Sequence, residues 1–168
     1  MAIIFDLLIF TLIYYVFFFN KWRQLSRKNF IIRTIFYLYL ITVFYFTLMP
    51  IFKSLQMRIF INYHAKANFI PFVDLTHCWG NYYFEIFSNI ILMLPMGIFI
   101  PLLKPTRHPL FETTIKTLLF SLMIELSQYI FLIERIFDVT DLITNTLGGF
   151  IGCLIYLVFK HFNQSNIL

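Results

Sequence analysis

Residues 125–152 read ELSQYIFLIERIFDVTDLITNTLGGFIG. They place a carboxylate and an amide inside one apolar run, a charged turn after it, and a second apolar run that ends in glycines. A carboxylate in hydrocarbon is costly enough that its retention points to function. Working outward, the composition fixes the solvent. Hydrophobic residues make up 60% of the 168 residues and charged residues 12%, about half the charged share of a soluble domain. A soluble core of this size could not hide so much Phe, Ile, Leu and Tyr from water, so the sequence predicts an all-α integral membrane protein. The net charge of +5 comes from Lys and Arg beside apolar runs, without the basic stripe and interleaved aromatics of a nucleic-acid binder. The partner implied is the lipid bilayer.

Five stretches approach or reach the 20 or so residues needed to cross a bilayer: Ala2–Phe19, Ile31–Ile51, Tyr83–Leu103, Leu110–Ile133 and Leu142–His161. A long outer loop separates the second from the third. No basic segment precedes the first run and no small-residue cleavage pattern follows it, so it reads as a retained anchor. Lys21, Arg23, Arg27 and Lys28 fill the first loop, and Lys104 and Arg107 the third. The excess of basic residues in short cytoplasmic loops then predicts N-out and C-in, although Lys53, Arg58 and Lys66 in the outer loop oppose it. Phe17, Phe18 and Phe19 read as lipid-facing filler.

Under that topology most acidic residues, Asp6 among them, fall near the outer surface, and Glu125 lies about 12 Å below it by helix rise. Asn89 and Asn145 come out at similar depths on two other spans, which predicts one polar pocket open to the outside. Glu125 and Gln128 share a helix face. In the outer turn Arg135, Asp138 and Asp141 recur at helical spacing, and Asp138 or Thr140 is placed to cap the last helix. Gly148 and Gly152 form a small-xxx-small face for close helix approach. Pro95 and Gly97 predict a kink and a close neighbour on the third span. In the outer loop, residues 51–61 suit a short interfacial helix, Asn68-Phe69-Ile70-Pro71-Phe72 an extended or turn segment, and Trp79, Tyr82 and Tyr83 an interfacial aromatic belt. His64 and His77 read as solvated loop histidines. Cys78 and Cys153 lie at different depths, which disfavours a disulfide.

The ordered set Asn68-x-x-Pro71-Phe72, Asn89 with Pro95 and Gly97, Glu125-x-x-Gln128, and Arg135-x-x-Asp138-x-x-Asp141-x-x-x-Asn145 with Gly148 and Gly152 resembles the VanZ-like family, named for a teicoplanin resistance protein. The shared motifs run from residue 68 to 152 of a single domain, with the first two helices and their basic loop (1–51) outside them. The chain departs from the family pattern at Met93 and Met96, where bulky apolar residues such as Phe are common. It also carries Lys66 ahead of the N-x-x-P-F motif, where the family has an arginine three residues before the asparagine. The resemblance implies a bacterial cytoplasmic-membrane protein, linked in some members to low-level resistance to teicoplanin and related lipoglycopeptides. It implies no cofactor.

Two functions follow as expectations. In one, Asn68, Asn89, Glu125, Gln128, Arg135, Asp138, Asp141 and Asn145 bind an amphiphilic ligand, either a lipid-linked envelope precursor or a lipoglycopeptide. In the other, the chain is an enzyme acting on a lipid-linked substrate, with Glu125 as general base and Asp138, Asp141 and Asn145 as potential metal ligands. No H-E-x-x-H, G-x-S-x-G or P-loop motif supports the second. No metal is assigned.

Overall fold

The computed structural model describes residues 2–60, 66–77, 80–132 and 135–165; His64, Cys78, Trp79 and Glu134 lie outside them. Helix α1 (Ala2–Ile13) passes through a π-helical stretch (Tyr14–Phe19) into the short α2 (Asn20–Trp22). There follow α3 (Arg27–Thr47), α4 (Ile51–Phe60), a two-residue strand β1 (Ala67–Asn68), α5 (Val73–His77), α6 (Tyr82–Leu103), α7 (Pro109–Phe131), a second short strand β2 (Phe137–Asp138) and α8 (Val139–Ser165). Ser26 caps α3 by accepting from the Asn29 amide, which closes one of the open donors of a helix start. A short helix, α4, follows Pro50, within the stretch where one was expected.

Among the described residues, four segments are long and apolar enough to cross a membrane: Ile3–Trp22, Arg27–Thr47, Tyr82–Leu103 and Val139–Asn163. The 23-residue α7 is not among them. Thr113, Thr117, Ser121 and Glu125, each four residues after the last, are 0–1% exposed, so a polar stripe at helical spacing lowers the mean hydropathy of a helix that buries it. Elsewhere large apolar side chains face outward. Leu12, Phe17, Phe46, Phe84, Phe87 and Phe159 are all more than half exposed, which suits a protein whose solvent is lipid.

The chain forms two compact units, Met1–Lys66 with Ser127–Arg135, and Ala67–Leu126 with Ile136–Leu168. In the first, the Tyr37 hydroxyl donates to the Phe10 carbonyl at 2.7 Å and Tyr14 and Thr34 share a hydrogen bond. Phe18 packs on Trp22 and Tyr37 with ring centroids 4.8 and 5.4 Å apart, and Phe19 on Tyr15 and Phe30. Only Phe17 of that triplet keeps the lipid-facing role expected of all three. The other two are half-buried by these ring contacts.

Asp6 is 2% exposed and accepts from the Ile51 backbone amide at 2.9 Å, so a carboxylate 45 residues away caps α4. Its Oδ1 has no hydrogen-bond partner. Asp6→Ala is expected to cost about 1 kcal/mol, the weight of an N-cap. Asp6→Asn should cost less because the amide oxygen can still accept from Ile51. Thermal unfolding of the two variants in detergent checks the order, and an equal loss in both would remove the capping role.

In the second unit α6 and α8 are in the closest contact. A Cβ placed on Gly97 would fall within 3.0 Å of the α8 backbone at Gly149, Gly152 and Cys153; one on Gly148 would strike the Ile90 carbonyl, and one on Gly152 the Leu94 carbonyl. The glycine face expected from Gly97, Gly148 and Gly152 is therefore this helix pair. Gly149 faces the Thr117 side chain and so seats α7 on the same helix. Met93 and Met96, the departures from the family pattern, are 0% and 7% exposed and fill the core as bulky apolar residues would. Helix α6 continues through Pro95 and Pro101, each of which removes one backbone donor. Cys153 is buried and free.

Candidate functional site

The start of α8 organises the site. Asp138 stands one residue before the helix, and its Oδ1 accepts from the Thr140 amide at 2.6 Å, the geometry of an N-cap. Its Oδ2 accepts from Asn68 Nδ2 at 3.0 Å. Its own backbone N–H donates to Glu125 Oε2 at 3.1 Å. Three segments far apart in sequence thus meet at one residue that is 8% exposed. The backbone reinforces this, since β1 and β2 pair in parallel with Ala67 opposite Phe137 and Asn68 opposite Asp138.

The N-x-x-P-F turn has a defined job in this geometry. Asn68 Oδ1 accepts from the Ile70 amide at 3.1 Å, a side-chain turn that folds the chain back on itself. After Pro71, Phe72 takes a φ of +58°, a region rare for a bulky side chain. That conformation points its N–H at Thr140 Oγ1, 3.0 Å away. Asn68, Pro71 and Phe72 therefore lock the loop onto the first turn of α8.

A second group lies one turn further along α8. Asn89 Nδ2 donates to Asp141 Oδ1 at 2.7 Å and makes a longer contact to Thr144 Oγ1 at 3.4 Å. Asn145 Nδ2 donates to Ser121 Oγ at 3.0 Å, while the buried Asn145 Oδ1 has no partner. Asn68, Asn89, Glu125, Asp138, Asp141 and Asn145 are thus gathered in the second unit around the first two turns of α8. Gln128 and Arg135 belong to the first unit. The Gln128 amide donates to the Thr47 carbonyl at 3.0 Å, and Arg135 is exposed.

Sequence reading did not single out Ser121, Thr144, Asp74 or Glu85. The four-residue recurrence of Thr113, Thr117, Ser121 and Glu125 was a signal for the first. Asp74 and Glu85 carry none, because isolated acidic residues in a loop and at a helix start read as solvated. Asp74, Glu85, Asp138 and Asp141 line one small cleft with Phe72, Thr140 and Tyr82. Its volume is about 20 Å³, room for roughly one water-sized group. Glu125 does not line it. It stands behind Asp138, 1% exposed, and holds the backbone on which the cleft is built.

The family profile described as VanZ/LLP1 matches residues 36–160. A curated relative, "Protein VanZ" of Enterococcus faecium, is 34% identical over 139 residues that cover 80% of this chain and 80% of the relative. No solved structure matches. The matched range takes in the N-x-x-P-F turn, every residue of the buried hydrogen-bonded cluster and the glycine face behind it, and the chain belongs to the VanZ/LLP1 family.

Proposed function

We propose that this membrane protein is a binding protein whose acid-lined cleft, open to the outside of the cell, holds the polar part of an amphiphilic envelope ligand, and that this binding gives low-level protection against teicoplanin and related lipoglycopeptides. The observation that carries the reading is the convergence of Asp74, Glu85, Asp138 and Asp141 on one cleft built over a buried network. A cleft of that size grips a single polar group. Four carboxylates favour an amine or hydroxyl there and oppose a pyrophosphate, so a lipoglycopeptide suits the site better than a pyrophosphate-linked precursor. The enzyme reading has less support, because Glu125 is buried, is not among the residues lining the cleft and accepts from a backbone amide.

Neutralising the rim tests the proposal. Asp74→Asn with Glu85→Gln should leave folded yield unchanged, since Glu85 is exposed and Asp74 half-buried, yet weaken ligand binding about tenfold at up to ~1 kcal/mol for each charge contact. Teicoplanin susceptibility of a host expressing the double variant should approach that of the host without the protein. Undiminished protection would remove the cleft from the mechanism.

The reading includes five spans, N-out and C-in. The parallel pairing of Asn68 with Asp138 supports α7 as the fifth. Those two residues must share one side of the membrane, so if α6 crosses, α7 crosses back, and its length of roughly 34 Å suffices. A cysteine introduced at Ile70 or Ile136 is expected to react with an impermeant thiol reagent from outside intact cells. Reaction of both from the cytoplasmic side alone would reverse the orientation.

A further inference from the structure

Beyond the glycine contact, the far halves of α6 and α8 border a groove of about 530 Å³, within the ~300–1,000 Å³ of small-molecule sites. Ile98, Leu102, Ile155 and Phe159 line it with apolar surface, and Tyr156, Lys160 and Asn163 supply its polar groups. The last three stand at i, i+4 and i+7, along one strip of α8. From Ile155 to Asn163 the helix rises roughly 12 Å, most of one leaflet's ~15 Å share of the hydrocarbon core.

Charge decides what fits. Among the described residues, no carboxylate lines the groove. Lys160 is exposed and forms no ion pair among the described residues. The carboxylates of α6 and α8, Glu85 and Asp141, lie in their first turns, at the opposite ends of these helices. Glu112, near the start of α7, is paired with Lys116 at 3.1 Å. A second copy of this chain therefore has little to offer Lys160, whereas Lys104 and Arg107, just after α6, add to the positive charge of this end.

We propose that the groove binds an anionic glycerophospholipid, with its phosphate on Lys160 Nζ and one acyl chain laid along Ile98, Leu102, Ile155 and Phe159. This site is separate from the acid-lined cleft and does not depend on the ligand proposed there.

Native mass spectrometry of the purified full chain, released from detergent with phosphatidylglycerol or phosphatidylcholine of identical acyl chains, tests it. Phosphatidylglycerol should be retained about fivefold better, the weight of one lysine near an anionic headgroup. Lys160→Ala should abolish the preference, while Lys21→Ala, in α2 and not among the groove residues, should keep it. Ile155→Trp, which fills the groove, should reduce retention of both lipids, with an unchanged melting temperature confirming that the variant is folded. Equal retention of the two lipids by the native chain, a preference that survives Lys160→Ala, or retention unaffected by Ile155→Trp in folded protein would each overturn the proposal.

Discussion

Gly152→Leu is expected to abolish accumulation of folded protein. A Cβ at residue 152 would strike the Leu94 carbonyl and lie 3.0 Å from Gly97 Cα. The obstacles are backbone atoms, which no rotamer change can clear. Overpacking against movable side chains costs about 1–3 kcal/mol, and a clash with two helix backbones belongs at or above the top of that range. Gly148→Leu should behave alike, because the Ile90 backbone bars it. Gly80→Ala supplies the contrast. Nothing lies within 4 Å of a Cβ there and the residue holds a φ of +64°, so only the conformational cost of about 1–2 kcal/mol applies. Size-exclusion profiles and thermal unfolding in detergent measure all three. A Gly152→Leu protein that folds and melts like the native chain would mean that α6 and α8 do not meet at their glycines.

The second large effect is expected at the Asp138–Glu125 contact. Asp138→Ala removes the N-cap of α8 and the acceptor for Asn68 Nδ2 together. A lost cap costs about 1 kcal/mol and a stranded buried donor about 1–3 more, so a loss near 3 kcal/mol is expected. Asp138→Asn keeps the cap but turns an amide toward Asn68 Nδ2, and Asn68 cannot flip freely because its Oδ1 accepts from Ile70. It should therefore fall between the native chain and Asp138→Ala. Glu125→Ala leaves the Asp138 amide unpaired and opens a cavity, again at about 3 kcal/mol. Glu125→Gln retains an acceptor oxygen and should keep most of the stability and most of the cellular protection. If Glu125→Gln abolishes function in fully folded protein, the carboxylate acts chemically and the binding reading of this family member is wrong.

Much of the cluster was legible from local spacing. Asp138 standing before an apolar run is a helix start, Asn68-x-x-Pro71 is a turn, and Gly148 with Gly152 is a packing face, because each of these features is settled by neighbours within one helical turn. Gln128 shows where local spacing stops. It shares a helix face with Glu125 by sequence, yet its amide pairs with Thr47, 81 residues away, and that partner is set by which helix lies alongside. The count of apolar segments differs for a related reason: length alone gives five, and the polar stripe from Thr113 to Glu125 leaves α7 out of the four that are long and apolar enough among the described residues.

The sequence by itself determined the solvent, the approximate edges of the long helices and the position of each polar residue along its helix axis. Composition fixes the first, and a rise of about 1.5 Å per residue the other two. Only the tertiary structure decided direction around each axis. In water an outward face announces itself by polarity, but lipid is as apolar as a packed leucine, so Phe17 facing out and Phe18 packed on Trp22 are the same residue type side by side. For the same reason nothing local says that Glu125 supports Asp138 from behind while Asp74 and Glu85 form the rim. That assignment follows from the pairing of Asn68 with Asp138, a contact between residues seventy positions apart, which brings the loop and the first turn of α8 together.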